Sequence, residues 1–376
     1  MRKTTWLFTT IILSFLLFLA GCGIAQKPDS KAGQVEPLAT TQKTASVKTE
    51  ALPPEPYTTI KVHFLDVGQG DSILIQTPNK AILVDGGTAS AGQTVINYIK
   101  AQGITKLDAV VATHPHEDHI GGLVKVIPAF PVTNFHMPNK SHTTRTFENL
   151  IGVVNQSGAK RIQAKAGVAF ELDGIKAKFI APNSTSYSSL NDYSAVLKIT
   201  HGSNAFLLTG DAESRSEQEM IGAGLKADVL KVGHHGSNSS TTSSFLKAVS
   251  PKAAVISAGR GNSYGHPHQE VLNRLQNAGV EVYRTDEQGM IIATSDGQKV
   301  TFNVKANAPP AKKSTSQSTV TGGSTSTGKD VTVYLTNTGT KYHRGNCRML
   351  KKSKIENKLS DVKGNYEPCK ICNPQR

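Results

Sequence analysis

From about Ile60 to Val304 the chain alternates short β-branched runs with stretches whose apolar positions recur every three or four residues. Successive side chains of a strand face opposite ways, whereas a helix gathers positions i, i+3 and i+4 on one face, so the two periods separate the two kinds of element. The pattern predicts strands over Ile60 to Asp66, Ser72 to Gln76, Ala81 to Asp85, Asp108 to Thr113, Ala195 to Thr200, Ala205 to Thr209, Asp228 to Val232, Ala253 to Ser257 and Met290 to Thr294. It predicts helices over Gly92 to Gln102, His119 to Ile127, Thr144 to Ser157, Glu213 to Ala223, Thr242 to Ala248 and His268 to Ala278. Strands and helices interleaved in this way call for an α/β fold, here two sheets between helices. Such a fold gathers its chemistry at strand ends.

Outside this stretch the pattern breaks down. Residues 1–22 join Arg2 and Lys3 to an apolar run from Trp6 to Leu19 and end in Leu19-Ala20-Gly21-Cys22, the layout of an export signal. The ending resembles a bacterial lipobox. That resemblance implies cleavage before Cys22, lipid on its thiol, and attachment to the extracellular face of the cell membrane. An uncleaved membrane anchor is the alternative, against which stand the short apolar run and its small terminal residues. Residues 23–56, closing on Pro53-Pro54-Glu55-Pro56, read as a flexible tether. Residues 57–306 read as the main folded domain, 307–329 as a second linker rich in Pro, Ser, Thr and Gly, and 330–376 as a small separate module.

The densest polar cluster is Thr113-His114-Pro115-His116-Glu117-Asp118-His119, directly after the apolar stretch Leu107 to Ala112. From His114 onward, six positions hold three imidazoles and two carboxylates, in a chain with only 12 histidines. That density outlines a dinuclear metal site rather than a chance polar loop. His114 and His116 lie two apart on an extended segment and face one way, while Asp118 and His119 turn the chain back toward a second ion. Polar groups also end other predicted strands: Asp85-Gly86-Gly87, Thr209-Gly210-Asp211, Gly233-His234-His235-Gly236 and Gly265-His266-Pro267-His268. Any one of them suits a turn or a helix cap. Together with the histidine loop, a lone Asp211 suits a carboxylate bridging two cations, and Asp85 suits a brace for the loop.

The motif H-x-H-x-D-H at His114 to His119, with Gly121-Gly122 after it, resembles the metallo-β-lactamase superfamily, whose fold is an αββα sandwich. Phe64 to Ser72, Asp85-Gly86-Gly87, Leu208 to Asp211, His234 to Ser237 and Tyr264 to Pro267 further resemble the hydrolase domain of ComEC-type competence proteins. This chain looks like a stand-alone, lipid-anchored relative of that domain. The resemblance implies two divalent metal ions, with His114 and His116 on one, Asp118 and His119 on the other, Asp211 between them, and His266 completing the second site. Ligands of nitrogen and oxygen suit zinc or manganese. The chain departs from the family at the third histidine of the first site, because no His occurs between His142 and His201 and the segment there reads Asn191-Asp192-Tyr193-Ser194. Asn191, Asp192, Ser194, His235 or a water stay open for that place. Asp118, His235 and His268 are the candidate catalytic side chains, the two histidines either as acids for the leaving oxygen or as hydrogen-bonding braces.

All cysteines after Cys22 lie in the last 30 residues, an odd and clustered set that is no disulfide framework. His343, Cys347, Cys369 and Cys372 give one imidazole and three thiols, a closed set suited to one structural zinc. Metal would supply the stability that so short a segment lacks; a disulfide between two of the thiols is the alternative. The segment resembles a small cysteine-rich module appended to some secreted bacterial nucleases. From Lys329 onward there are 11 Lys or Arg against four Asp or Glu, so half of the net +14 sits in the tail. Such a charge favours an anionic partner, namely DNA held without regard to sequence, teichoic acid or a lipid surface. Three functions remain open: a two-metal phosphodiesterase acting on DNA, a hydrolase of a small ester, lactone or β-lactam, and a non-catalytic DNA-capture lipoprotein.

Overall fold

The computed structural model describes residues 58–308 and, toward the C-terminus, 332–336, 341–351, 355–359, 367–369 and 371–372. The export signal with Cys22, the tether and most of the second linker lie outside the described residues. One sheet has eight strands in the order β15-β14-β1-β2-β3-β4-β5-β6. They are β1 (Ile60–Phe64), β2 (Ile73–Gln76), β3 (Ala81–Val84), β4 (Leu107–Val111), β5 (Val132–Met137), β6 (Lys160–Gln163), β14 (Ile291–Ser295) and β15 (Val300–Phe302). A seven-stranded sheet runs β13-β12-β11-β10-β9-β8-β7. Its members are β7 (Ala169–Leu172), β8 (Ile175–Phe179), β9 (Leu197–His201), β10 (Asn204–Leu208), β11 (Val229–Lys231), β12 (Ala253–Ile256) and β13 (Glu281–Arg284).

Each sheet contains a run of four parallel strands, β3 to β6 in one and β10 to β13 in the other. Parallel neighbours need a crossover, and helices supply it. In the first sheet these are α1 (Gly92–Ala101), α2 (Glu117–Ile120) with α3 (Leu123–Ala129), and α4 (Arg145–Gln156). In the second they are α5 (Ser214–Met220), α6 (Ser243–Val249) and α7 (Gln269–Asn277), while α8 (Thr285–Gln288) follows β13.

Side-chain alternation then builds three apolar layers. Ile60, Val62, Phe64, Ala109 and Val111 meet Phe179, Leu197, Phe206, Leu208 and Val255 between the sheets. On the outer faces, Leu83 and Val110 pack with Val95, Ile99, Leu123 and Leu150, and Leu207 and Leu230 pack with Met220, Phe245 and Leu275. The result is the αββα sandwich that the sequence predicts.

The structure corrects several local expectations. The predicted helix from His119 to Ile127 is two short helices, α2 and α3, joined at Gly121-Gly122. A Cβ on Gly122 would lie 1.9 Å from the Gly86 carbonyl oxygen, so the two glycine segments touch backbone to backbone and redirect the chain. Strands β5 to β8, β13 and β15 were not predicted. In β6, Lys160, Arg161 and Gln163 are exposed on a sheet edge, and β5 carries Thr133, Asn134 and His136, so neither shows an apolar period. By contrast β8 alternates buried and exposed positions throughout, and its Ile-Lys-Ala-Lys-Phe pattern is legible.

In the C-terminal segment β16 (Thr332–Leu335) pairs antiparallel with β18 (Ile355–Lys358), and β17 (Lys341–Tyr342) pairs parallel with β19 (Glu367–Pro368). Val333, Leu335, Tyr342 and Leu359 form its small apolar core. Among the described residues no helix is long and apolar enough to cross a membrane.

Candidate metal centre

The polar segments that end strands converge because the parallel strands of both sheets bring them there. Asp85 follows β3 and the histidine loop follows β4; Asp211 follows β10, and His234 and His235 follow β11. Asp118, His119, Asp211 and His235 offer four ligand atoms that all lie within 4.8 Å of one another. His114, His116 and Asp211 form a second such group, so Asp211 belongs to both. Within the second group His114 Nε2 and His116 Nδ1 are 3.0 Å apart. His119 Nε2 stands 3.2 Å from Asp211 Oδ2, and His235 Nε2 stands 3.2 Å from Asp118 Oδ2. Neither pair has the alignment of a hydrogen bond: His119 Nε2, His235 Nε2 and Asp211 Oδ1 are buried without any hydrogen-bond partner. Buried polar atoms are otherwise almost always partnered. Atoms that face a common point rather than each other fit divalent cations.

At His114, His119 and His235 the opposite nitrogen of the ring is held by the protein. Asp85 Oδ2 lies 2.8 Å from His119 Nδ1, while its carboxylate also accepts from the Thr113 N–H at 2.8 Å and the Thr113 hydroxyl at 2.6 Å. Thr113 Oγ1 lies 3.1 Å from His114 Nδ1, and the Ser257 carbonyl lies 2.9 Å from His235 Nδ1. Such braces fix the tautomer and aim Nε2 at the ion. Asp85, His234 and His235 all adopt left-handed backbone conformations, with φ of 58°, 47° and 53°. That conformation is costly for residues other than glycine and tends to persist where the surroundings enforce it. Here Glu217 of α5 accepts the backbone N–H groups of Thr241 and Thr242, and Arg274 of α7 donates to the carbonyls of Ser240 and Thr241, pinning the loop that carries both histidines.

The charges answer one another. Burial disfavours a charged ring at His119, but Asp211, Asp118 and Asp85 together outweigh it and hold that imidazole well above the usual histidine range. At His235 burial likewise loses, to Asp211 and Asp118, and the ring is pushed up to about 9. Asp211 is held well below the carboxylate range, since His119 and His235 overcome its burial. His114 is driven well below the histidine range by burial and by the neighbouring His119. Positive charge on His119 and His235 thus answers a cluster of carboxylates, a charge that a divalent cation held by these residues would supply instead.

Other residues singled out in the sequence stand around this cluster. His235, weighed as a leaving-group acid and as a ligand of the first site, joins Asp118, His119 and Asp211. His266, assigned to the second site by the resemblance, lies outside both groups, with its ring centroid 6.4 Å from that of His235. His268 Nδ1 accepts the Asn238 N–H at 3.0 Å and braces the loop after β11. Asp192 accepts from the N–H groups of Glu213 and Ser216, and the Ser194 hydroxyl accepts the Asp211 N–H at 3.0 Å, so both are occupied in shaping the turn. Asn191 Oδ1 is buried without a partner, beside His234.

Three residues lie within motifs or strands noted in the sequence but were given no role there. His234 places Nε2 3.8 Å from Asp211 Oδ2, while Glu213 lies 3.2 Å from its Nδ1. Lys231 is completely buried, with Nζ 2.6 Å from Asp71 Oδ2, and Asp71 Oδ1 lies 3.5 Å from His235 Nδ1. A lone lysine inside the apolar run Val229-Leu230-Lys231-Val232 was the signal for that pair.

In the tail, His343, Cys347, Cys369 and Cys372 also lie within 4.8 Å of one another, and the thiols are unpaired. His343 Nδ1 is 3.2 Å from Cys347 Sγ, and Cys372 Sγ accepts the Arg344 N–H at 3.3 Å. Backbone N–H groups of Cys372 and Ile371 overcome burial at Cys369 and lower its thiol. An imidazole with converging thiols, one of them favoured as thiolate, is a donor set compatible with a soft divalent ion.

Known proteins are similar to this chain. ComE operon protein 3 of Bacillus subtilis is 34% identical over 264 residues, covering 65% of this chain and 34% of that protein. Competence protein ComA of Neisseria gonorrhoeae is 34% identical over 230 residues, covering 60% of this chain and 31% of that one. This chain therefore spans about a third of the length of these relatives. The crystal structure of YhfI, a metallo-beta-lactamase fold protein from Bacillus subtilis, aligns with a TM-score of 0.44 and 16% identity over 65% of this chain and 99% of that one. The histidine loop, Asp211 and His235 all fall within residues 65–260, which match the model of the metallo-beta-lactamase superfamily, and the chain belongs to that superfamily.

Proposed function

We propose that this protein is a two-metal phosphodiesterase that cleaves DNA outside the cell while tethered to the membrane through lipid on Cys22. A metallo-beta-lactamase domain is generally a metal-dependent hydrolase. The observation that carries the reading is the pair of largely buried donor groups sharing Asp211. Zinc or manganese bound there supplies Lewis acidity toward a phosphoryl oxygen and makes water nucleophilic at neutral pH. The chain's own part is to aim the ligands through Asp85, Thr113 and the Ser257 carbonyl. DNA rather than a small ester is favoured by the relatives named for competence and by the net charge of +14. In the tail, one structural zinc on His343, Cys347, Cys369 and Cys372 would hold a basic module against the polymer.

The test loads the protein with manganese or zinc and offers plasmid, linear and single-stranded DNA beside nitrocefin. DNA should be cut, and Asp211→Ala should abolish cutting while the circular dichroism of the fold persists. Full activity in that variant would sink the two-metal reading. Cleavage of nitrocefin alone would point to a small-substrate hydrolase, and cleavage of neither to capture without catalysis.

A further inference from the structure

Tyr264 stands at the rim of the metal centre and is 65% exposed, more than any other large hydrophobic side chain among the described residues. Its ring lies nearly parallel to that of His266, with centroids 5.7 Å apart and planes 22° from each other. His266 in turn lies 6.4 Å from His235 at 29°. Three rings, each stacked on the next, therefore lead from the buried cluster out to solvent.

The loop that presents Tyr264 is firmly built. Asn262 Oδ1 accepts the N–H groups of Tyr264 at 3.2 Å and His266 at 3.0 Å, while Asn262 Nδ2 donates to the carbonyls of Gly259 at 2.9 Å and His266 at 2.6 Å. Gln69 Oε1 accepts the Gly259 N–H at 3.1 Å and ties this loop to the one after β1. A flat aromatic face held out to water on an anchored loop gains nothing from burial within the protein. It is preorganised for a flat partner, and the ordering cost of that partner's site is already met.

We propose, resting on the phosphodiesterase reading above, that Tyr264 is a stacking platform for a nucleobase beside the scissile phosphodiester, and that the strand therefore enters the site unpaired. In a duplex both faces of each base are covered by its neighbours, so only a single strand or a frayed end can offer a free face. Stacking on an aromatic side chain tolerates every base, in keeping with a chain that has no base-reading motif. Tyr264 is a positioning residue, acting on where the strand lies.

The test uses the full-length, metal-loaded protein and a short single strand with phosphorothioate linkages, substituted with 2-aminopurine, so that binding is read ahead of cleavage. Wild type and Tyr264→Phe should quench the fluorescence. Tyr264→Ala should lose the quenching and bind on the order of tenfold more weakly. Abasic sites in the strand should weaken wild type to the level of the alanine variant and leave that variant unchanged. Equal quenching and affinity in wild type and Tyr264→Ala would overturn the platform, as would a wild type indifferent to abasic sites. Quenching that depends on Tyr264 in a protein that never cuts DNA would support the platform and sink the phosphodiesterase reading alone.

Discussion

At the scale of single residues, the centre depends on side chains that never reach the ions. Asp85 shows this most directly: it takes His119 Nδ1, the Thr113 N–H and the Thr113 hydroxyl, and so decides which nitrogen of His119 faces inward. Its backbone is left-handed, a conformation that asparagine tolerates better than most residues, so Asp85→Asn should keep the fold while weakening the brace. Metal affinity should fall by about 10- to 100-fold, read by competition with a chromogenic chelator; unchanged affinity would mean that the carboxylate does not set the ring. The histidine loop was legible because its ligands lie within six consecutive positions. Which later histidine turns inward was not legible, since His234, His235, His266 and His268 are alike as residue types. The choice rests on left-handed φ values at 234 and 235, which no glycine announces.

Among the elements, β5 holds a second lesson. His136 lies between the sheets, its ring 4.9 Å from Phe170 of β7 and 5.4 Å from Phe179 of β8, and its Nδ1 has no hydrogen-bond partner. Burial lowers it to about 4. Between pH 6.5 and about 4 the unfolded chain therefore binds a proton that the native chain refuses, so the contribution is intact above 6.5 and is lost as pH falls through that window. His136→Phe should flatten this acid-side loss, seen as a smaller shift of the urea midpoint between pH 7 and 4.5 with chelator present in both proteins. Equal shifts would show that His136 titrates freely. The same histidine, with Thr133 and Asn134, hid β5 from an apolar pattern, because an imidazole among phenylalanines reads as polar although it is packed as an aromatic. Strands β3, β4, β10 and β12 were legible because both of their faces are buried and their apolar runs are nearly continuous.

For the whole molecule the issue is how charge and chemistry are divided along the chain. Half of the net charge lies from Lys329 onward, and none of the residues grouped around Asp211 does. Removing residues 308–376 should therefore raise the KM for long DNA much more than it lowers kcat, and added salt should erase the difference as counterions screen the phosphates. An equal effect at high salt would assign the tail another task. The sandwich of two sheets was readable from the alternation of strands and helices, whereas the pairing of particular strands across it was not, because the layer between the sheets joins residues far apart in the chain, such as Phe64 and Phe179. The meeting of the two sheets also has a consequence in time. His114, His116, Asp118 and His119 hang from one sheet and Asp211 and His235 from the other, so neither half alone completes either group that shares Asp211. Neither group can therefore assemble before position 211 has been synthesised and the two sheets have closed on each other.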